Sequence, residues 1–311
     1  MTYFLGVDGG QSGTKAVIGD ESGQVLGTGE AGPCNHAGAH EGRAKLERVV
    51  TASVSAACSQ AGLDPTAIRF EAACFGMSGG PEDKEAILGS ILRIGRLTVT
   101  NDAVIALAGA TETGQGIITI AGTGSIAFGR NAEGRSARAG GWGYIFGDEG
   151  GAFDIVRQAL RAALRMEEGW GVQTALRAVI LDATRSGSAN EAVHRMYTAD
   201  WPRDRAAKLA PLVDAAAASG DAVAMEILAN AAAQLALLAA SVRGQLWQAG
   251  DAVELAYIGG VFQSRIVLER FRLLVELEGR VRCIAPQRGP AEGALLEAYR
   301  SAGFRAILTE P

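Results

Sequence analysis

The sequence predicts an α/β protein of two related lobes, each a mixed sheet flanked by helices. Three observations carry that expectation. The chain has 311 residues, enough for two compact lobes of about 150 residues each. A pattern of strand, glycine hairpin, strand, turn and strand opens the chain. It returns about 112 residues later, as a weak internal duplication does. Short apolar runs and helical periodicities then alternate toward the C-terminus.

The elements follow in order. Residues 3–8 read as a buried strand and 14–19 as its partner across the glycine-rich turn 9–13. A second turn at 20–23 leads to a strand near 24–29. Residues 42–61 have helical spacing and stop at Gly62. A strand at 69–76, a helix at 83–93, a strand at 96–101 and a helix at 102–110 complete the first pass. The second pass has strands at 117–120 and 126–130 around the turn 121–125, with a further turn at 131–134. Residues 150–249 are helical, with Gly220 and Gly250 as stops. A strand at 253–258, a helix at 264–276, a strand at 280–284 and a helix at 290–302 end the chain. The expected lobes are 1–112, completed by the C-terminal helix 290–303, and 113–289 with the helical insertion, around a central cleft.

Composition narrows the function classes. The chain is 48% hydrophobic and 20% charged, as in an ordinary globular protein. Its net charge of −5 comes with no dense Lys/Arg run, so no nucleic-acid partner is expected. Cys34, Cys58, Cys74 and Cys283 form no C-x-x-C pair, and His36, His40 and His194 add no zinc-like spacing. Free thiols in a reducing, cytoplasmic compartment are the simplest expectation. The start lacks a basic segment followed by a long apolar one, so no signal peptide is expected. The longest apolar stretch, Ile227 to Val242, is interrupted by Asn230 and Gln234 and reads as too short for a membrane span. A homodimer is the default assembly.

Several segments carry chemistry. The loop from Gly6 to Lys15 lacks P-loop spacing and leads into a strand. Its backbone N–H groups can still form an anion-binding nest. Gly10, Gln11, Ser12, Gly13 and Thr14 would place amides and hydroxyls on a β- or γ-phosphate. Lys15 would add charge unless strand alternation turns it away, and Asp8 would hold a hydrated Mg²⁺. The loop 121–125, with Thr123, Gly124 and Ser125, offers the same chemistry a second time. Each loop alone is equally a plain hairpin.

Asp102 follows a strand and precedes a helix. It is either a helix N-cap or the general base that a sugar hydroxyl needs as it attacks phosphorus. In the glycine-flanked segment 140–151, Trp142 has few local neighbours and could cover a sugar or an acetyl group. Asp148 and Glu149 could accept hydrogen bonds from hydroxyls, or cap the helix that follows, and capping is the main expectation for Glu149. Asn35 and His36 lie in a loop that could reach the same ligand. Gly259 and Gly260 end a strand where an adenosine could approach the backbone.

Taken in order, DGGQSGTK at 8–15, Asn35-His36, SGG at 78–80, Asn101-Asp102-Ala103, GTGS at 122–125, GGWG at 140–143, GDEGG at 147–151, GGV at 259–261 and GPAEGA at 289–294 resemble the N-acetylglucosamine kinase family. That family belongs to the sugar kinase, actin and heat-shock ATPase superfamily. The resemblance implies two ribonuclease-H-like lobes, ATP and Mg²⁺, and phosphorylation of a sugar 6-hydroxyl. It implies Asp102 as base, Asn35, Ser125, Trp142 and Asp148 at the sugar, and Gly10, Thr14 and Thr123 near the phosphates. Gly151 departs from the Ser common after GDEG.

Two other classes are compatible with this superfamily. An activator ATPase of acyl-CoA dehydratases or benzoyl-CoA reductases needs cysteines placed for a bridging iron–sulfur cluster, and no such spacing is evident. A sugar-responsive repressor needs an N-terminal helix-turn-helix, where this sequence has a strand. Among acceptors, N-acetylglucosamine, glucosamine and muramic acid derivatives differ only in what the pocket reads.

Overall fold

The computed structural model describes residues 1–10, 13–34, 39–77, 84–111, 113–277 and 279–309, the side chains of 39–41 excepted. The chain divides into two compact units, Met1–Gly116 with Ala285–Pro311, and Ile117–Ile284.

The first unit is a five-stranded sheet built from β1 (Tyr3–Gly9), β2 (Thr14–Asp20), β3 (Val25–Ala31), β4 (Phe70–Met77) and β5 (Ile94–Thr100), in the order β3-β2-β1-β4-β5. β1 runs antiparallel to β2 and parallel to β4. It is central and covered on both faces, which is why it is a continuous apolar run. Leu5, Val7, Ile18 and Phe75 pack under helix α1 (Ala39–Gln60) with Val50 and Val54. Phe4, Val17, Ala72 and Cys74 face the other way, onto α3 (Asp102–Thr111) and α11 (Pro290–Ser301), with Ile105, Leu295 and Tyr299. The short α2 (Lys84–Ile91) precedes β5. α11 and α3 approach closely: a Cβ on Gly293 would run into the Ile105 carbonyl oxygen. The phenol of Tyr299 donates to the Asp20 carbonyl at 2.6 Å, tying α11 to the end of β2.

The second unit repeats this plan. Its strands are β6 (Gly116–Ala121), β7 (Ser125–Arg130), β8 (Ser136–Gly140), β9 (Val253–Ile258) and β10 (Val281–Ile284), in the order β10-β9-β6-β7-β8. From the β8 edge this is third, second, first, fourth, fifth, the same order as in the first unit. The duplication expected from the glycine hairpins is therefore present in the topology.

Between β8 and β9 lie α4 (Ala152–Glu167), α5 (Leu176–Thr184), α6 (Ala189–Arg195), α7 (Arg203–Ala207), α8 (Ala210–Ala218) and α9 (Ala222–Leu246), with α10 (Arg265–Glu276) before β10. The expected stretch Ile227–Val242 is part of this longer α9, which among the described residues is the one helix long and apolar enough to cross a membrane. Ile227, Leu228, Ala231, Leu235 and Val242 on it are buried in the unit's core with Ile155, Leu176 and Val213, so its apolarity serves packing.

Candidate functional site

In the first unit the carboxylates gather at one end of the sheet. Asp8 lies near the end of β1, opposite Lys15 in the antiparallel ladder and beside Gly76 in the parallel one. Directly opposed residues of an antiparallel pair share a face, so alternation does not turn Lys15 away. Its Nζ pairs with Glu292 of α11 at 2.7 Å. Burial, then the charges of Asp102 and Glu292, push the Asp8 carboxyl up to about 6, while Lys15 opposes them.

Asp102 opens α3 and is exposed, whereas Ala103 beyond it is buried. The cap is supplied by its neighbour: the Val104 N–H donates to Asn101 Oδ1 at 3.0 Å. Asp102 is thereby left free of the structural duty that competed with a chemical one. Lys84, at the start of α2, is buried. Desolvation holds its amine below the usual lysine range, with Cys34 and Asp102 opposing. Lys84 and Glu292 are charged neighbours of this cluster that their sequence context did not reveal.

The first glycine loop is tied to the segment after β3. Gly10 N–H donates to the Gly13 carbonyl at 3.0 Å, Cys34 N–H to the Gly10 carbonyl at 3.1 Å, and the buried Thr14 hydroxyl to the Gly32 carbonyl at 3.0 Å. Among the described residues, a Cβ on Gly10 would meet nothing closer than 3.5 Å. Gln11, Ser12, Asn35, His36 and the SGG at 78–80 lie outside the described residues.

In the second unit the loop 121–125 is locked from several sides. Gly122 N–H donates to the Gly124 carbonyl at 3.0 Å, while Ala152 and Phe153 at the start of α4 donate to the Gly122 and Thr123 carbonyls at 2.8 and 3.1 Å. The buried Ser125 hydroxyl donates to the Glu149 carbonyl at 2.6 Å, and its N–H to Asp148 Oδ1 at 3.3 Å. A Cβ on Gly124 would lie 2.5 Å from the Asp148 carboxyl carbon, and one on Gly151 2.8 Å from Gly124 Cα. The missing side chain at 151 is thus a packing requirement. Gly259, with φ of 115°, presses on the Ala121 carbonyl, whereas a Cβ on Gly260 would have nothing within 4 Å among the described residues. The GGV and GTGS segments are therefore neighbours.

Asp148 is buried and has φ of 64°. Its Oδ2 accepts from Arg203 of α7. α4 starts at the N-cap Gly151, which makes no side-chain cap bond, and the Gly150 N–H donates to Asp154 at 3.1 Å. Trp142 sits among Gly140, Gly141 and Gly143, all with positive φ, and is 65% exposed. The Arg138 guanidinium lies 4.5 Å from its ring centroid.

A family model described as the BadF/BadG/BcrA/BcrD ATPase family matches residues 5–298. The chain belongs to this family. Among its relatives, an N-acetylmuramic acid/N-acetylglucosamine kinase of Clostridium acetobutylicum is 35% identical over 305 residues, covering 96% of this chain and 98% of the relative. An N-acetyl-D-glucosamine kinase of Dictyostelium discoideum is 29% identical over 324 residues, with 96% and 98% covered. A solved structure from Chromobacterium violaceum, provisionally assigned as an N-acetylglucosamine kinase, superposes with a TM-score of 0.77 at 28% identity, covering 95% of this chain and 98% of that one. The fold is accordingly the two-lobed α/β fold of the actin-like ATPases.

Proposed function

We propose that this family member is an ATP-dependent kinase that phosphorylates the 6-hydroxyl of an amino sugar, N-acetylglucosamine first. The single observation that carries the chemistry is Asp102: an exposed carboxylate at the start of α3, relieved of capping by Asn101 and within electrostatic reach of Asp8. Asp102 takes the hydroxyl proton as the sugar oxygen bonds to the γ-phosphorus and the bond to the ADP oxygen breaks. Gly10, Ser12, Gly13, Thr14, Thr123 and Gly124 are assigned to the phosphates, and Gly259 and Gly260 to the nucleoside. Asn35, Ser125, Trp142 and Asp148 are assigned to the sugar. These assignments rest on the loop chemistry and on the names of the relatives.

Asp8 fits a hydrated Mg²⁺. It is a hard oxygen donor crowded by two like charges, and among the described residues no three His, Cys, Asp or Glu side chains form a metal cage. Mg²⁺ is held in this way, by one or two carboxylates, water and substrate phosphate. When bound, it would neutralise phosphate charge. Cytoplasmic residence follows the same reading.

The acetylated sugar is favoured over glucosamine because Asp148 is already neutralised by Arg203 and makes a poor partner for an ammonium group. Glu149 is the remaining carboxylate for that role. An activator ATPase is disfavoured by the thiols. Cys58, Cys74 and Cys283 are each buried in a different core cluster. Burial pushes the Cys283 thiol up to about 12.

The test is coupled ADP release across N-acetylglucosamine, glucosamine, N-acetylmuramic acid and glucose. The reading expects kcat/KM for N-acetylglucosamine about tenfold to thirtyfold above glucose, from one methyl and one hydrogen bond. No sugar-stimulated release would overturn it.

A further inference from the structure

Arg203 belongs to none of the motifs that led to the site, yet it touches Asp148, a buried residue with positive φ. Its terminal nitrogen pairs with Asp148 Oδ2. Its guanidinium lies 5.3 Å from the Tyr144 ring and 5.8 Å from the Phe153 ring, two rings that meet edge to face at 5.5 Å. The group is therefore held by an ion pair at its edge and by aromatic rings around it, which restricts its rotation.

Asp148 has two unusual features. It is one of two non-glycine residues with positive φ among the described residues, the other being Arg185. Such a conformation persists only where the surroundings over-determine it. Its carboxyl group also occupies the space that a side chain at Gly124 would need, and its Oδ1 accepts the Ser125 N–H. One oxygen thus addresses the 122–125 turn and the other addresses Arg203.

Stability alone is a poor explanation for this pair. Asp148 is buried while Arg203 is only partly so, and the cost of desolvating the carboxylate offsets much of what the pair contributes to stability. The Arg203 Nε is buried with no hydrogen-bond partner, a sign that the guanidinium is aimed at Asp148 rather than placed to satisfy all its donors.

We propose that Arg203 is a positioning residue, which holds the Asp148 carboxylate against the 122–125 turn and so fixes the direction of the Ser125 amide and of the Asp148 lone pairs left for a ligand. Its catalytic consequence rests on the kinase reading, in which Asp148 and Ser125 meet the sugar. The structural part does not, since turn rigidity is measurable without any substrate.

The experiment uses full-length Arg203→Gln and Arg203→Lys, and reads hydrogen exchange of the amides in 121–127 alongside steady-state kinetics. Arg203→Gln is expected to speed exchange at Ser125 by ~10-fold or more, as loss of a local restraint does. The KM for sugar should rise by ~10-fold or more with a smaller change in the KM for ATP. Arg203→Lys, which keeps the charge but not the flat fork, should recover part of both. If Arg203→Gln does not fold, the Arg203→Lys values decide, and exchange and sugar KM both within about twofold of wild type overturn the proposal. A lowered Tm with unchanged exchange at Ser125 and unchanged KM values in the folded protein overturns it as well. Should the wild type phosphorylate no sugar, the kinase reading fails by itself and the exchange result still decides the role of Arg203.

Discussion

The two glycine hairpins share a sequence pattern and a place in their sheets, but their surroundings differ. Among the described residues, Gly10 and Gly13 are joined by a backbone bond, Gly10 is joined by another to Cys34, and a Cβ on Gly10 meets no atom closer than 3.5 Å. Close by stand charged groups, Asp8, Lys15, Asp102 and Glu292. The loop before Ser125 is closed in by Asp148, the Glu149 carbonyl, Gly151 and the start of α4. Its nearest carboxylate is already paired with Arg203. The same hairpin pattern thus stands among charged groups in one unit and is packed into a fixed shape in the other; on the kinase reading proposed above, the first copy serves proton and metal chemistry.

The largest expected effect separates chemistry from scaffold. Asp102→Asn should lower kcat by roughly 10²–10⁴-fold, the usual range for losing a general base. Its Tm should stay near wild type, because Asn101 carries the cap. A kcat within about threefold of wild type would place the base elsewhere.

Next comes a matched pair, Gly124→Ala against Gly10→Ala. The first drives a methyl into the Asp148 carboxyl group and should cost about 1–3 kcal/mol in urea denaturation, as overpacking does. The second should stay within about 0.5 kcal/mol. Equal costs would erase the difference between the loops.

A third measurement concerns pH. The Asp8 carboxyl rises from 3.8 to about 6 on folding. The folded chain therefore holds a proton that the unfolded chain has released between those values, and stability falls as pH climbs through that window. Asp8→Asn should melt roughly 2–6 °C above wild type at pH 7.5, with the gap closing as pH drops toward 4. A gap that is constant with pH would mean that burial and the charges of Asp102 and Glu292 do not raise the Asp8 carboxyl.

The smallest effect is Glu292→Gln. It removes one of the charges that raise the Asp8 carboxyl, so the fall in melting temperature with rising pH should end at lower pH. An unmoved profile would take Glu292 out of the cluster.

The strands, helices and hairpins were legible because their signals are local: apolar runs, helical spacing and glycine turns. The site was legible only in part. Asn101 and Asp102 are both good caps, and only the placement of Asn101 Oδ1 on the Val104 N–H decides between them. Lys15 and Glu292 are 277 positions apart, so no window of sequence joins them. Arg203 follows Asp148 by 55 positions in an Ala-rich helical stretch, where one more arginine reads as a solvated side chain. Gly124 and Gly151 were legible as turn residues, but the reason they lack side chains is a contact with each other and with Asp148.

The central claim is that the chain transfers a phosphoryl group to a sugar rather than to water. Phosphorus NMR of a reaction containing ATP, Mg²⁺ and N-acetylglucosamine tests it most directly. The account predicts ADP together with a sugar phosphomonoester resonance split by the methylene protons of a 6-phosphate, with both signals lost in Asp102→Asn. ADP accompanied only by inorganic phosphate, with no phosphomonoester for any amino sugar tried, would contradict it.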